Sequence, residues 1–195
     1  MKLNFKFLLL FTIVACKSTV TTSKKDVNPD VVDNAEKQVS TKPIKKSNPP
    51  GMLVGIQDRS TLEAEPHDYW FNENYESYEL DTEVASQLKP LLENIEIKAF
   101  MGTWCGDSQY GVPAFYKILD HAEFDYKNFT LITVTRNKDT PEKLEKGLNI
   151  IRVPTFIFYK NGTEIGRYVE YARESLEKDM RTILSGQPYK HAYED

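Results

Sequence analysis

The spacing of apolar residues along the chain separates predicted strands from predicted helices. Five runs rich in β-branched and aromatic residues predict strands: 52–56, 95–100, 129–135, 153–159 and 163–169. The last two runs flank Asn161-Gly162, a dipeptide typical of a tight turn in a β-hairpin. The chain therefore contains several short strands, two of which form a hairpin near its end.

Helical spacing appears between these strands. Three sets of apolar residues lie on single helix faces: Val84, Leu88, Leu91 and Leu92; Val112, Phe115, Tyr116 and Leu119; Leu176, Met180, Ile183 and Leu184. Asp81 precedes the first set as a cap, Ser60 and Glu63 have the spacing of a capping box, and residues 139–142 begin another helix with a proline in its first turn. The aromatic segment 69–78 is assigned to packing without a definite element. Strands separated by helices predict an α/β fold, a central mixed β-sheet flanked by helices.

The first fifty residues have a different pattern. Residues 1–15 combine two lysines with an apolar run at 7–14, which is typical of a signal peptide and too short to span a bilayer. Residues 16–50 are polar and contain no sustained apolar period, which predicts a flexible tether. The globular domain is expected at 51–195, preceded by this N-terminal extension.

Charge restricts the class of partner. The whole chain of 195 residues has a net charge of −4, but residues 51–195 contain 16 basic and 25 acidic side chains, about −9. Nucleic acid is therefore not an expected partner, since phosphate binding needs clustered Lys and Arg. The tether has a net charge of +3, which we interpret as solvated rather than bound to lipid headgroups. His67, His121 and His191 are too scattered for a metal site and are predicted to be surface or tail residues.

The chain has two cysteines, and the first lies directly after the predicted signal peptide. The run Ile13-Val14-Ala15-Cys16 resembles the lipobox of bacterial lipoproteins. The resemblance implies that Cys16 is lipidated and becomes the new N-terminus, which anchors the protein to a membrane of the bacterial cell envelope. The alternative is an ordinary signal peptide followed by a chance cysteine. With Cys16 lipidated, Cys105 is the one free thiol of the mature chain.

The second cysteine lies where a predicted strand ends and a predicted helix begins. The backbone N–H groups of a helix N-terminus favour an anion, so a thiol there tends to ionise to the reactive thiolate. The segment Trp104-Cys105-Gly106-Asp107-Ser108 resembles the Trp-Cys-x-x-Cys turn of thioredoxins. Three more features match in order over roughly residues 84–185: Pro113 inside the helix, the loop Val153-Pro154-Thr155, and the hairpin around Asn161-Gly162.

The resemblance implies a thioredoxin-like fold and assigns roles to these residues. Cys105 is the nucleophile, and Pro154 is a cis-proline that aligns the substrate backbone beside it. The alternative for Pro154 is an ordinary trans-proline at the start of a strand. Trp104, Val153 and Thr155 are expected to form the substrate groove.

Two departures from the thioredoxin pattern change the expected chemistry. Ser108 replaces the second cysteine, so it cannot release a mixed disulfide; we expect it to donate a hydrogen bond to Cys105. Ala99 stands where many thioredoxins place a buried acid. Asp107 and Glu170 are candidate acid–base groups. Asp107 suits the first helical turn but repels a thiolate, and Glu170 is equally consistent with an exposed carboxylate after a strand.

Three functions remain after these observations. The first is a membrane-tethered monothiol thiol–disulfide oxidoreductase, a monomer without cofactor or metal, acting on protein or low-molecular-weight thiols and disulfides. The alternative is a non-catalytic module that docks client proteins through the same fold. A peroxide-reducing thiol ranks last, because the sequence lacks the arginine-assisted site that such an enzyme needs.

Overall fold

A five-stranded mixed sheet lies at the centre of the computed structural model, which describes residues 51–194. The strands are β1 (Gly55–Gln57), β2 (Ile95–Met101), β3 (Phe129–Thr133), β4 (Thr155–Lys160) and β5 (Thr163–Val169). Their order across the sheet is β1-β3-β2-β4-β5. The β2 and β3 strands are parallel, and the other neighbouring pairs are antiparallel. The predicted mixed sheet and its closing hairpin are confirmed.

Five α-helices accompany the sheet in residues 51–194. They are α1 (Arg59–Leu62), α2 (Asp68–Ser77), α3 (Thr82–Leu88), α4 (Gly106–His121) and α5 (Leu176–Leu184), with 3₁₀ turns at Lys89–Leu91 and Tyr126–Asn128. No helix in this described part is long and apolar enough to cross a bilayer. The predicted signal peptide, Cys16 and the tether lie outside the described residues.

The larger hydrophobic core lies between one face of the sheet and all five helices. Strand alternation sends Ile97 and Ala99 of β2 to this face, where both are almost fully buried. The rings of Phe115 from α4 and Phe156 from β4 stack with centroids 3.9 Å apart. Helix α4, which carries the candidate nucleophile at its start, is thereby fixed against the centre of the sheet.

The opposite face carries a smaller core around Phe100 and Ile157, which a turn-rich segment covers. The predicted helix at 139–142 is wrong, because the segment forms successive turns instead. The Thr140 hydroxyl accepts a hydrogen bond from Leu144 N–H and donates one to Glu145, and Lys143 adopts a positive φ of 59°. These hydrogen bonds take the place of the backbone hydrogen bonds of a helix, because threonine side chains often compete with helix formation by bonding to nearby backbone groups.

The remaining helix predictions had mixed outcomes. Helix α3 begins after Asp81, whose carboxylate accepts from Val84 N–H at 3.1 Å, so that cap is confirmed. The capping box at Ser60 is wrong: α1 already begins at Arg59, and Glu63 forms a 2.7 Å ion pair with Arg59 instead. The unassigned aromatic segment forms α2, which buries Trp70 and Phe71.

A partly buried carboxylate at the far end of α4 joins three other elements to this helix. Asp120 accepts two hydrogen bonds from Arg59 and one each from Tyr75 and Tyr126. Burial alone would raise the pKa of Asp120, but the hydrogen bonds from Tyr126, Arg59 and Tyr75 lower it below its ordinary value. Asp120 is therefore an ionised anchor that fixes α4 from the end opposite to the candidate nucleophile.

Candidate active site

Cys105 is the N-cap residue of α4, four residues after β2 ends. Its backbone is extended, and its carbonyl accepts the first helical hydrogen bond from Gln109 N–H at 3.0 Å. The thiol is half-buried and is the free cysteine of the described residues. The strand-to-helix turn therefore places Cys105 at the N-terminus of α4, where the helix dipole favours an anion, although the sulfur accepts no hydrogen bond from the N–H groups there.

Two oxygen atoms lie near the Cys105 sulfur. The thiol donates to the Val153 carbonyl at 3.3 Å and, more weakly, to a carboxylate oxygen of Asp107 at 3.8 Å. The Val153–Pro154 peptide bond is cis, as the resemblance implied. The Pro154 carbonyl accepts from Glu170 N–H at 2.7 Å, which places the end of β5 against the same loop. Cys105, Asp107, Val153, Pro154 and Glu170 thus form one site.

Ser108 lies on the inner face of α4 and is fully buried. Its hydroxyl oxygen accepts a hydrogen bond from Gly102 N–H at 3.2 Å. The expected hydrogen bond from Ser108 to the Cys105 thiol is wrong, since none is formed between these two described residues. Ser108 instead fixes the turn between β2 and α4, so its influence on the sulfur acts through the backbone.

One side of the sulfur, which we call the tryptophan side, consists of Trp104, Arg136 and His67. The Trp104 indole N–H donates to the Val134 carbonyl at 2.9 Å, and the guanidinium of Arg136 lies 5.0 Å from its ring centroid. The indole packs so closely over Gly102 that a Cβ atom there would lie 2.5 Å from it. All three members line a cavity of about 350 Å³.

His67 contributes a buried, neutral ring to the tryptophan side. It is 5% exposed and packs edge-on against Trp70, with ring centroids 5.9 Å apart. Burial lowers its pKa, which the nearby Asp68 only partly opposes. His67 is buried, so the prediction that all three histidines are surface or tail residues is wrong for it, whereas His191 is buried but follows α5 in the C-terminal tail.

The other side of the sulfur, which we call the carboxylate side, consists of Asp107, Glu170 and four tyrosines. The tyrosines are Tyr78, Tyr110, Tyr168 and Tyr171. All six line a cavity of about 330 Å³. The Glu170 carboxylate also lies 3.6 Å from the side chain of Arg152. Glu170 is therefore a wall of a cavity beside the thiol rather than an isolated surface carboxylate.

The remaining site predictions concern the cis-proline loop and the missing acid. Thr155 is 1% exposed and its hydroxyl donates to the Arg152 carbonyl at 2.7 Å, so its side chain braces the loop. Val153 is also buried and faces the sulfur with its carbonyl. Ala99 is fully buried in β2, and no carboxyl group takes its place on that strand.

Several residues of the site were not predicted from the sequence. Arg136, Tyr78 and Tyr171 come from loops and Tyr168 from β5, all distant in sequence from the cysteine, whereas Tyr110 lies on α4 itself. Two buried acids at the start of α5 were also missed: Glu177 accepts from the Tyr78 hydroxyl, and Asp179 accepts from two backbone N–H groups. No three His, Cys, Asp or Glu side chains converge as a metal site requires anywhere in residues 51–194. These residues could be identified only from the three-dimensional structure, because none of them lies in a recognisable sequence motif.

The arrangement of these residues is suited to the first step of a dithiol cycle, the attack of a thiol on a disulfide. A thiol at a helix N-terminus can attack a disulfide, and the cis-proline loop beside it offers backbone groups to an extended substrate. Ser108 occupies the position of the resolving thiol and is already bound to Gly102 N–H. The described residues contain no second thiol beside Cys105.

A family model described as Thioredoxin matches residues 58–181, more than half of the chain. Thioredoxin H9 of Arabidopsis thaliana is 28% identical over 94 residues, which is 48% of this chain and 63% of that protein, slightly less than two thirds of its length. Thioredoxin of Gallus gallus is 24% identical over 99 residues, covering 51% of this chain and 89% of that protein.

Two solved structures are also similar. Oxidized mitochondrial thioredoxin 3 of Saccharomyces cerevisiae is 21% identical, with a TM-score of 0.29 over 42% of this chain and 74% of its own. A protein of unknown function from Pseudomonas aeruginosa is 16% identical, with a TM-score of 0.43 over 67% of this chain and 83% of its own. The family match coincides with the fold and with the turn that holds Cys105, and the chain belongs to the thioredoxin family.

Proposed function

We propose that this protein is a thiol–disulfide oxidoreductase that acts through Cys105 alone. The observation that carries the proposal is the position of the Cys105 sulfur, at the N-terminus of α4 and 3.3 Å from the Val153 carbonyl that precedes cis-Pro154. Membership of the thioredoxin family supports thiol–disulfide exchange as the reaction. Protein disulfides and low-molecular-weight thiols are the proposed partners.

The cycle balances with an external thiol as the reductant. The Cys105 thiolate attacks one sulfur of a substrate disulfide, which forms a bond to Cys105 and releases the other sulfur as a thiolate. An external thiolate then attacks the Cys105 sulfur of the mixed disulfide, which releases the second substrate thiolate and leaves Cys105 in a disulfide with the external thiol. A second external thiolate attacks the sulfur of the first external thiol. This attack frees the Cys105 thiolate and forms the disulfide of the reductant. Two electrons thus pass from two external thiols to one substrate disulfide.

Tethering to a bacterial envelope membrane is a separate part of the proposal. Its support is the lipobox-like run that ends at Cys16 and the polar stretch that follows it. Lipidation adds a mass to Cys16 that mass spectrometry of the membrane fraction would detect. The Cys16→Ser variant should lose both the added mass and the membrane association; an unmodified Cys16 in membrane-bound protein would contradict lipid tethering.

Turnover tests the proposed reaction. The purified protein is given a cysteine peptide in mixed disulfide with glutathione, and free glutathione serves as reductant. We expect turnover that rises with glutathione concentration, is abolished in Cys105→Ser and persists in Cys16→Ser. Turnover equal to the uncatalysed reaction, or turnover that survives Cys105→Ser, would contradict the proposal.

A second candidate is a module that docks client proteins without turnover. It is favoured by the burial of Ser108 and by the presence of Ala99 on β2 instead of an acid. Ser108→Cys separates the candidates, because residues three apart on a helix are neighbours and the variant restores a second thiol beside the first. We expect it to gain reduction of insulin disulfides. A variant that folds normally and stays inactive would favour docking.

A further inference from the structure

The carboxylate side contains a cavity that adjoins the reactive sulfur through Asp107. Its volume is about 330 Å³, comparable with the smaller ligand pockets of proteins. Asp107, in its wall, lies 3.8 Å from the Cys105 sulfur, and Gly111, also in its wall, faces Pro154. A substrate whose disulfide reached Cys105 would therefore place a neighbouring side chain at this cavity.

The cavity has aromatic walls that remain uncharged. Tyr78 and Tyr110 meet edge to face with ring centroids 6.3 Å apart. The hydroxyl of Tyr78 donates to Glu177, and that of Tyr168 donates to the Glu170 carbonyl. Burial raises the pKa of both Tyr78 and Tyr168, so their rings are neutral at physiological pH. Neutral aromatic faces attract cations through their quadrupole.

The fixed charge of the cavity is negative. Asp107 and Glu170 are its ionisable carboxylates, and the described residues that line it include no Lys, Arg or His. Arg152 reaches Glu170 at 3.6 Å but does not line the cavity. The lining of the cavity therefore includes two carboxylates and four tyrosine rings, but no basic side chain.

We propose that this cavity is a subsite for a cationic side chain, Lys or Arg, that a client protein carries beside its reactive cysteine. The inference rests on the proposed exchange at Cys105, and it adds a substrate class to that reaction. Ring faces and carboxylates together complement an extended cation better than a neutral or acidic side chain. The subsite selects basic peptide segments.

Two peptides that differ at one position test the selection. Each contains a single cysteine in mixed disulfide with β-mercaptoethanol, and the residue two positions from the cysteine is Arg in one and Gln in the other. The rate with enzyme is divided by the rate at which the reductant alone reduces the same peptide disulfide. This ratio corrects for differences in intrinsic reactivity between the two peptides. We expect kcat/KM for the Arg peptide to exceed that for the Gln peptide about five- to thirtyfold.

Variants of the wall locate the effect. Glu170→Gln and Tyr171→Ala should each reduce the preference severalfold, and Tyr171 is exposed enough for its removal to leave the core intact. Glu174→Gln is the matched control, because it removes an equal charge from an exposed side chain outside the cavity. It should keep the full preference.

The outcomes distinguish this inference from the proposed function. Exchange with both peptides at equal corrected rates would overturn the cation subsite and leave the Cys105 reaction standing. If neither peptide exchanged, the proposed reaction would fail, and the subsite would be judged by NMR with the serine analogues of both peptides. Shifts of tyrosine signals by the Arg analogue alone would support the subsite, and equal or absent shifts would overturn it.

Discussion

The two sides of Cys105 are built in different ways. On the tryptophan side, the indole of Trp104 is held by a hydrogen bond to Val134, by the guanidinium of Arg136 and by close packing over Gly102. On the carboxylate side, Asp107 lies within reach of the sulfur at the edge of an open cavity. Both sides line cavities of similar volume, but the tryptophan side holds Trp104 through several contacts and carries Arg136, whereas the carboxylate side places an acidic group beside the sulfur.

This difference indicates that structural support and substrate selectivity come from different sides of the turn that holds Cys105. A reactive group needs a rigid support, and the supporting contacts of Trp104 are formed before any substrate arrives. Selectivity needs groups that line a cavity beside the reactive atom, and Asp107 and Glu170 do so on the carboxylate side. Substitutions on the tryptophan side should therefore change stability and geometry, whereas those on the carboxylate side should change reactivity and substrate preference.

The largest expected effect comes from Gly102→Ala on the tryptophan side. The added Cβ would lie 2.5 Å from the Trp104 indole and would displace it from Val134. Overpacking of this kind costs about 1–3 kcal/mol. Urea unfolding measures the loss, and exchange activity should fall with it. Gly106→Ala is the matched control, because nothing lies within 4 Å of its new Cβ; equal stability losses in the two variants would contradict the rigid support.

A smaller effect is expected from Asp107→Asn on the carboxylate side. Removing a like charge 3.8 Å from the sulfur favours the thiolate by about 1 kcal/mol at high dielectric, about a fivefold effect. Alkylation of Cys105 by neutral iodoacetamide at pH 6.5 should therefore become about two- to fivefold faster, while stability falls by at most about 1 kcal/mol because a carboxylate is lost from the first turn of α4. Glu174→Gln should leave the rate unchanged. A slower reaction in Asp107→Asn would show that the carboxylate assists the thiol as a proton acceptor.

The smallest expected effect concerns pH and His67. Burial lowers its folded-state pKa below the ordinary value of about 6.5, so the unfolded chain binds this proton more tightly. Neutral His67 should contribute its full share to the free energy of unfolding above about pH 6.5, and this contribution should be lost progressively as the pH drops below that value.

Urea titrations at pH 7.5 and 5.5 measure this contribution. His67→Gln should show a smaller loss of stability at the lower pH than the parent protein. The exposed His121 provides the control, and His121→Gln should keep the parental loss. If both variants behaved alike, His67 would not be the group that titrates.

The sequence predicted the central elements because local patterns and packing agree there. The apolar spacing of α4 matches the face that it buries, and the Asn161-Gly162 turn joins two antiparallel strands. The prediction failed at 139–142, where Thr140 and Glu145 bond to each other and a helix-like pattern forms turns. It also left α2 unassigned, because aromatic and Asn residues have modest helix propensity and tertiary packing decides the outcome.

The site was predicted where it consists of neighbours in sequence or of a matched motif. The cis bond before Pro154 and the position of Cys105 at the start of α4 were predicted in this way, and the catalytic role of Cys105 stays a prediction. The partner of Ser108 was wrong, because the turn places the serine hydroxyl inward, toward Gly102 N–H. The tyrosine cavity could not be predicted, because it forms only when three segments distant in sequence pack together.

Trapping of the reaction intermediate tests most directly whether Cys105 works without a resolving thiol. The protein is mixed with one equivalent of a peptide–glutathione mixed disulfide, without free thiol, and analysed by intact mass spectrometry and peptide mapping. We expect a single mixed disulfide at Cys105 that accumulates, persists, and disappears when glutathione is added. Absence of an adduct at Cys105, or its release without added thiol, would contradict the account.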